Sequence, residues 1–504
     1  MQEATLALVL PAGVTLPSPA SADDPLAPLL ARVAQADARA TDWLALGRAL
    51  HARASGAIDG MRAALLALTR AAQLDPSADP RLMHELAQTA FVTREWPLVE
   101  TSCAMLLERD PNDANALVWR SAAAQACNDF ASAEDLLRAA ARIVPNHPVV
   151  QHKLALCVKE QARFAEGEAL LREVLALKPQ NPHARFDLSE LELRSGRYVQ
   201  GWEHYEARLE LDGDGNGART ALASIGAPWQ GESLAGRTLV VYGEQGNGDC
   251  LWAFRFLAPL AERARREGGR VVLGYAGPMR YLFERMLPPD VTLEASLMTR
   301  PDYHCGLMSL PLRLGVFDPG GWGASYLRAD RARVQTWRAR VAQAMPAGER
   351  SVALVWNGNP SHTRDARRSI PDAGLGALFS VPGLTFFALS PGRDAAVEAW
   401  RARGANFVDL TGQFEAGFDD VAALIASVDH VVTVDSGPAH LAGALGAPTS
   451  LLIDHVSAWF WGSETARTPW YDSIELFRQP AVGEWGPVLA GVRARLEALA
   501  ASDR

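Results

Sequence analysis

Val431-Val-Thr-Val-Asp-Ser-Gly-Pro-Ala-His440, continuing through Leu441-Ala-Gly-Ala-Leu-Gly-Ala-Pro448, decides the fold of the second half of this chain. Val431 to Val434 is a β-branched run that predicts a buried strand. Asp435 and Ser436 are helix-capping residue types, Gly437 permits a tight turn, and Pro438 suits a first helical turn. Gly446 and Pro448 then predict the end of a short helix, and Thr449 to Ile453 the next strand. Strand, turn, helix and strand in this order make a βαβ unit, with the open N–H groups of the helix start at the carboxyl edge of a parallel sheet. Such groups bind phosphate, so Ser436 and Gly437 form a candidate pyrophosphate site. The alternative is an ordinary βαβ turn without a ligand.

The same alternation extends on both sides. Thr238-Leu-Val-Val-Tyr242 reads as a strand. It leads into Gly243-Glu-Gln-Gly-Asn-Gly-Asp249, a helix over Leu251 to Arg265 and a second strand over Val271 to Tyr275. Another unit starts at Ser351 to Trp356 and continues through Leu384 to Leu389 and a helix over Asp419 to Ser427. Two parallel sheets follow, each with its site at the strand ends. The glycines Gly243, Gly246 and Gly248 are spaced G-x-x-G-x-G rather than G-x-G-x-x-G. No acidic residue ends the Val271 strand, and no G-x-x-x-x-G-K-[ST] occurs, so NAD binding and P-loop hydrolysis are disfavoured. Two such domains facing across a cleft set Gly243–Asp249 opposite Asp435–His440, a layout suited to joining an acceptor to a nucleotide-linked donor.

The first half is built from repeats. Pro76, Pro111, Pro145 and Pro179 lie 35, 34 and 34 residues apart, each after an apolar helix ending. The period and the terminal proline match the tetratricopeptide repeat. Ala52, Ala64, Ala71, Ala87, Ala133, Ala140 and Ala155 are expected where paired helices approach closely. A fifth unit, Ala184 to Leu211, is expected to cap the array. Stacked repeats form a superhelix whose concave face binds a peptide or protein, or serves only as a packing or dimerisation module. Trp43, Trp96, Trp119 and Trp202 read as core residues or as binding anchors.

With 48% hydrophobic and 21% charged residues and a net charge of −9, the chain has a globular composition and lacks the basic character of a nucleic-acid binder. Its five cysteines contain no CxxC pair and fit buried thiols in a reducing cytosol better than disulfides or zinc. Ala4 to Val14 is apolar and Pro19-Ala-Ser-Ala22 resembles a cleavage site, but no Lys or Arg precedes Arg32, so an arm or capping segment is expected rather than a signal peptide. No apolar run of membrane-spanning length occurs, and a cytoplasmic location is expected. Leu211-Asp-Gly-Asp-Gly-Asn-Gly217 reads as a linker; its faint calcium-loop spacing lacks the closing Glu. The expected division is an arm or cap over 1–40, repeats over 41–211, a linker over 212–236, an acceptor-side Rossmann-like domain over 237–345 and a nucleotide-sugar domain over 346–504.

Five motifs occur in order: Gly243-Glu-Gln-Gly-Asn-Gly-Asp249, Val355-Trp-Asn-Gly-Asn-Pro360, Arg367-Arg-Ser-Ile-Pro371, Val434-Asp-Ser-Gly-Pro-Ala-His-Leu441 and Pro469-Trp-Tyr471 with Leu476-Phe-Arg-Gln479. Together they resemble the bacterial tetratricopeptide-coupled glycosyltransferases related to family 9, the heptosyltransferase family. The resemblance implies an α-solenoid followed by a GT-B pair of Rossmann-like domains, with an inverting, metal-independent mechanism that needs no cofactor beyond the nucleotide-sugar donor. Similarity to flagellin glycosyltransferases implies a protein Ser or Thr acceptor, plausibly flagellin, held by the repeats. It also implies a nonulosonic acid such as pseudaminic acid, carried on CMP. Asp249 stands where the family places its general base; the alternative is a helix-capping Asp. Asn247 and Cys250 depart from the usual family form.

Arg367 and Arg368 add positive charge for donor phosphates, or form a solvated loop. Asn357 and Asn359 either touch the donor or make Asx-turns. His440 faces donor or core, and Trp459, Trp461, Trp470 and Tyr471 wall the nucleotide pocket or pack the core. No D-x-D-type metal clamp is positioned in either domain. Two other functions stay open. One is sugar transfer to lipopolysaccharide or another glycan, which a basic surface near Arg255 to Arg270 would favour. The other is a non-catalytic repeat scaffold with a vestigial transferase.

Overall fold

The structure is a computed structural model describing residues 8–21, 23–55, 57–211, 217–360, 362, 364–389, 394–463 and 465–502. The linker stretch 212–216 lies outside them. Two compact units are present, Met1–Pro179 and Gln180–Arg504.

The first unit is helical: α1 (Ala27–Val33), α2 (Ala40–Ala54), α3 (Ile58–Leu74), α4 (Leu82–Thr93), α5 (Trp96–Arg109), α6 (Ala114–Ala126), α7 (Phe130–Ile143), α8 (Pro148–Lys159) and α9 (Phe164–Leu177). Each repeat proline acts on the residue before it, since its ring disfavours the helical region there. Asp75, Asp110, Val144 and Lys178 accordingly leave the helix, with ψ between 75 and 101°. Within the repeats the turn uses a left-handed residue at a constant place: Arg94, Asn128 and Ala162, each 34 residues on, with Gly196 continuing the series in the second unit. Ala64, Ala71, Ala87, Ala133, Ala140 and Ala155 are fully buried. Ala52 is exposed, against expectation. The close approach falls instead on Gly47, where a Cβ would stand 2.9 Å from Leu68 Cγ. Ahead of α2, Leu8 and Leu16 pack on the first helices, and Gln73 Nε2 donates to the Leu8 carbonyl at 2.8 Å. Cys103 and Cys157 are buried and Cys127 is exposed.

The second unit opens with the last repeat hairpin, α10 (Pro182–Arg194) and α11 (Tyr198–Tyr205), and a 3₁₀ turn over Glu206–Glu210. After α12 (Gly217–Ala223) comes a parallel sheet in the order β1-β5-β2-β3-β4. Its strands are β1 (Ala227–Pro228), β2 (Thr238–Tyr242), β3 (Arg270–Gly274), β4 (Val291–Glu294) and β5 (Tyr303–Gly306). Its helices are α13 (Asn247–Phe254), α14 (Leu257–Glu267), α15 (Arg280–Met286), α16 (Leu310–Leu314) and α17 (Arg331–Ala344). A seven-stranded sheet follows in the order β11-β12-β10-β9-β6-β7-β8, parallel except for β11. It comprises β6 (Arg350–Val355), β7 (Leu384–Ala388), β8 (Phe407–Val408), β9 (His430–Val434), β10 (Thr449–Ile453), β11 (Arg467–Thr468) and β12 (Tyr471–Arg478). Its helices are α18 (Asp365–Arg368), α19 (Gly376–Phe379), α20 (Asp394–Arg401), α21 (Phe418–Ile425), α22 (Gly437–Leu445) and α23 (Trp485–Ala501). Two Rossmann-like sheets after a repeat array are the fold that the motif resemblance implies, a GT-B pair preceded by an α-solenoid.

The helix expected over Leu251 to Arg265 is broken into α13 and α14. Arg255 turns inward there, its Nε donating to the Trp252 carbonyl at 2.9 Å, and the Phe256 N–H bonds Ala253 instead. Trp202 of α11 is buried in the core beside Trp252 and Trp459, and its Nε1 donates to the Val316 carbonyl at 3.0 Å. It is a core residue, as one of the two sequence readings had it.

Candidate active site at two facing helix starts

β2 delivers the glycine loop and β9 the Asp-Ser-Gly turn, so the starts of α13 and α22 meet. A Cβ on Gly248 would stand 2.7 Å from His440 Cδ2, and one on Gly437 would stand 3.9 Å from Asn247 Cβ. Gly243 is closed in by Tyr275, 2.6 Å from where its Cβ would lie. A side chain at Gly248 or Gly243 would collide, whereas at Gly437 it would meet only ordinary contact distances.

Asp249 lies in the first turn of α13 and accepts the Gly246 N–H at 2.9 Å on Oδ2. The capping reading therefore describes a real bond. Burial nevertheless pushes its carboxyl up to about 6, against the Gly246 bond, with Glu244 and Asp435 adding negative charge nearby. A half-buried carboxylate tuned toward neutrality is a suitable proton acceptor.

On α22, Ser436 occupies the capping position, but its hydroxyl donates back to the Val434 carbonyl at 3.1 Å and makes no cap bond. This departs from the expected side-chain cap and leaves the N–H groups of the first turn facing the site without one. His440 is buried in the first turns of α22, with Nδ1 2.9 Å from the Tyr471 hydroxyl and its ring against Phe460 and Trp461. Burial lowers its pKa to about 4, so the imidazole is neutral. Its other edge abuts Gly248, which makes it a spacer between the two helix starts. Trp459, Trp461, Trp470 and Tyr471 are all buried; they pack the core behind His440 rather than wall an open pocket.

Arg368 Nη1 donates to the Asp435 carbonyl at 3.0 Å, and its Nε to Asp365 at 3.1 Å, holding the guanidinium at the end of β9. Arg367 is its neighbour on α18. Asn357 follows β6; its Nδ2 donates to the Gly358 carbonyl at 3.2 Å, and its Oδ1 is buried without a partner among the described residues. The expected Asx-turn is thus not made by Asn357. Asn359 is exposed, its backbone carbonyl accepting from His362 at 2.9 Å.

Several residues escaped the sequence reading. Asp454 follows β10 as Asp435 follows β9, and pairs with Arg364 at 2.9 Å. Arg478 ends β12 and donates to Ser457 Oγ at 2.8 Å and to the Gly462 carbonyl at 2.8 Å. The strand-end rule pointed to Asp454, and Arg478 lies in the Leu476-Phe-Arg-Gln479 motif, quoted without a role for the arginine. The Arg208–Glu244 pair beneath the glycine loop had no sequence signal, its partners being 36 residues apart. The basic surface sought near Arg255 to Arg270 is present only in part: Arg255 is buried against Trp252, Tyr326 and Tyr471, Arg263 pairs with Glu267 and Arg265 with Glu262, and Arg266 and Arg270 are exposed. Among the described residues no group of three or more His, Cys, Asp or Glu could hold a metal, and no helix is long and apolar enough to cross a membrane.

Residues 386–477, from β7 to the end of β12, match glycosyltransferase family 9 (heptosyltransferase). The second unit is a glycosyltransferase, similar to family 9 over that stretch. The matched segment contains the Asp-Ser-Gly turn and α22. This tetratricopeptide-coupled glycosyltransferase is 27% identical over 454 residues to Protein FlbA of Caulobacter vibrioides, an alignment covering 82% of this chain and 71% of the relative. Among solved structures it is similar to a family 9 glycosyl transferase from Veillonella parvula, with 12% identity, 54% of this chain and 99% of that one covered and a TM-score of 0.38. A similarity to MamA of Desulfovibrio magneticus has 18% identity, 34% of this chain and 98% of that one covered and a TM-score of 0.30.

Proposed function

We propose that the glycosyltransferase moves a sugar from a nucleotide-sugar donor to a Ser or Thr hydroxyl of a protein acceptor, with inversion at the anomeric carbon. The observation that carries this reading is the Asp249 carboxyl, raised to about 6, facing the start of α22, whose cap residue makes no side-chain cap bond. Asp249 accepts the acceptor hydroxyl proton as the oxygen bonds the anomeric carbon. The bond from that carbon to the donor phosphate breaks, and its electron pair leaves on the phosphate. The α22 N–H groups, Ser436 and Gly437 stabilise that charge with Arg368 and Arg367, while Asn357 and Asn359 line the donor side. The chemistry asked of these residues needs no metal or other cofactor.

The repeat helices support a protein acceptor, because such arrays bind protein segments. Flagellin, and a nonulosonic acid such as pseudaminic acid carried on CMP, rest on the motif resemblance alone. The glycan-acceptor reading keeps only the exposed arginines of that stretch, Arg265, Arg266 and Arg270, in its favour.

Thermal-shift measurements with CMP, UDP, GDP and ADP test the donor site, since a bound nucleotide raises Tm by linkage. One nucleotide should shift wild type and Asp249→Asn alike, and fail to shift the Arg367→Ala/Arg368→Ala double variant. With the matching donor, Asp249→Asn should lose about 100-fold or more in kcat, as expected when a general base is removed. No shift with any of the four would establish the scaffold reading in its place.

A further inference from the structure

The loop that presents Asp249 is held from below by the last repeat hairpin. Glu244, in the glycine loop, is buried, and Arg208 grips it with two bonds, Nε to Oε2 at 3.0 Å and Nη2 to Oε1 at 2.7 Å. Oε1 also takes the Met308 N–H at 3.0 Å. The carboxylate fills the space beside Gly306, where a Cβ would lie 1.9 Å from Oε1. Arg208 is itself buried, with further bonds to Ser309 Oγ at 2.7 Å and Glu206 at 2.8 Å. One residue further along the loop, the Tyr205 hydroxyl donates to Gln245 Oε1 at 2.7 Å. Gln245 has a φ of +57°, a left-handed conformation that a side chain other than glycine or asparagine adopts at a cost. The bond from Tyr205 acts on the residue that needs holding.

A buried, doubly bonded Arg–carboxylate pair fixes geometry more than it adds stability. Here it ties a turn preceding a helix start, and only three residues separate Gln245 from Asp249. We infer that Tyr205 and Arg208 are positioning residues, which hold the Glu244–Gln245 turn so that α13 presents the Asp249 carboxylate to the start of α22. This rests on Asp249 acting as the base. Transfer at the sheet edge then depends on a hairpin that the repeat period assigns to the acceptor-binding array.

The charged and titratable groups facing Asp249 are Glu244 in its own loop, Tyr205 from α11, and Asp435 and His440 from the β9–α22 side. In Glu244→Gln a nearby negative charge and the anchor for Arg208 are both lost, and the acid limb of the rate profile moves to lower pH. A purely structural role would reduce the folded fraction without moving that limb.

Tyr205→Phe removes one hydroxyl and keeps the ring, so it serves as the variant least prone to misfold. It should lower kcat by roughly tenfold, in line with the sensitivity of positioned groups to small displacements, and leave donor KM unchanged. Amide hydrogen exchange over residues 243–249 should become faster, with that of β9 and α22 unaltered. Unchanged kcat and unchanged exchange in Tyr205→Phe would overturn the inference, as would an acid limb that stays in place in Glu244→Gln. Should the wild-type protein turn over no donor, the base assignment falls. Exchange over 243–249 would then show whether the clamp holds the loop.

Discussion

Asp249 and His440 stand on either side of one contact and are displaced in opposite senses. The raised carboxyl of Asp249 must be ionised to accept a proton, so turnover should fall as pH drops below about 6. A rate profile measured at saturating donor checks this. The two groups also enter the stability balance with opposite signs. His440 and His430, both lowered to about 4 by burial, stay neutral in the folded protein while the unfolded chain takes up protons below its ordinary value. Their contribution is present above about 6.5 and is lost as pH falls toward 4. Asp249 works the other way, since the folded protein keeps its proton up to a higher pH than the unfolded chain does. Asp249→Asn should therefore make the acid loss of Tm steeper between pH 6 and 4; an unchanged slope would contradict the raised carboxyl. Gly248 has no room for a side chain against His440. Gly248→Ala should force the helix starts apart, with a stability loss of about 1–3 kcal/mol typical of overpacking and a fall in turnover, read by denaturant titration and kcat.

At the scale of the element, local rules carried furthest where the cause was local. The proline at each repeat boundary acts on its own neighbour, and the β-branched run from Val431 with Gly446 and Pro448 behind it bounded β9, α22 and β10 to within a residue. Where the cause was distant the sequence was silent. Nothing in the helical pattern of Leu251 to Arg265 says that Arg255 will turn into an aromatic cage and break the helix. Short strands such as β4 and β5, four residues each, alternate too little to be seen. The direction of the Ser436 hydroxyl is likewise a choice between two nearby carbonyl and N–H partners that spacing does not make. The repeat turns offer a direct test of the local rules. Ala162 occupies the left-handed position that Gly196 fills 34 residues later. Ala162→Gly should raise stability by about 1 kcal/mol, the order of the penalty a side chain meets there, and Tm of the full chain would show it.

For the whole molecule, the boundary of greatest interest is the one at Pro179, ahead of the last hairpin. Trp202, Tyr205 and Arg208 are bound into the body that contains the sheets, so a fragment over 180–504 should fold and keep its nucleotide response. One starting at residue 212 would lose the Arg208 counter-charge to Glu244 and a buried Trp, with a cost of about 3–5 kcal/mol for the aromatic alone. Circular dichroism and nucleotide thermal shifts on the two fragments distinguish these outcomes. Equal folding of both would show the hairpin to be dispensable. The cysteines add a practical consequence. Cys103, Cys157 and Cys250 are buried with thiols pushed up to about 12, Cys305 is buried and raised as well, and Cys127 alone is exposed. Cys127 borders a groove of about 640 Å³ between α5, α6 and α7 that Trp96 also lines. A maleimide dye should therefore attach to the native chain at one place, reporting on events in that groove by fluorescence without any engineered residue.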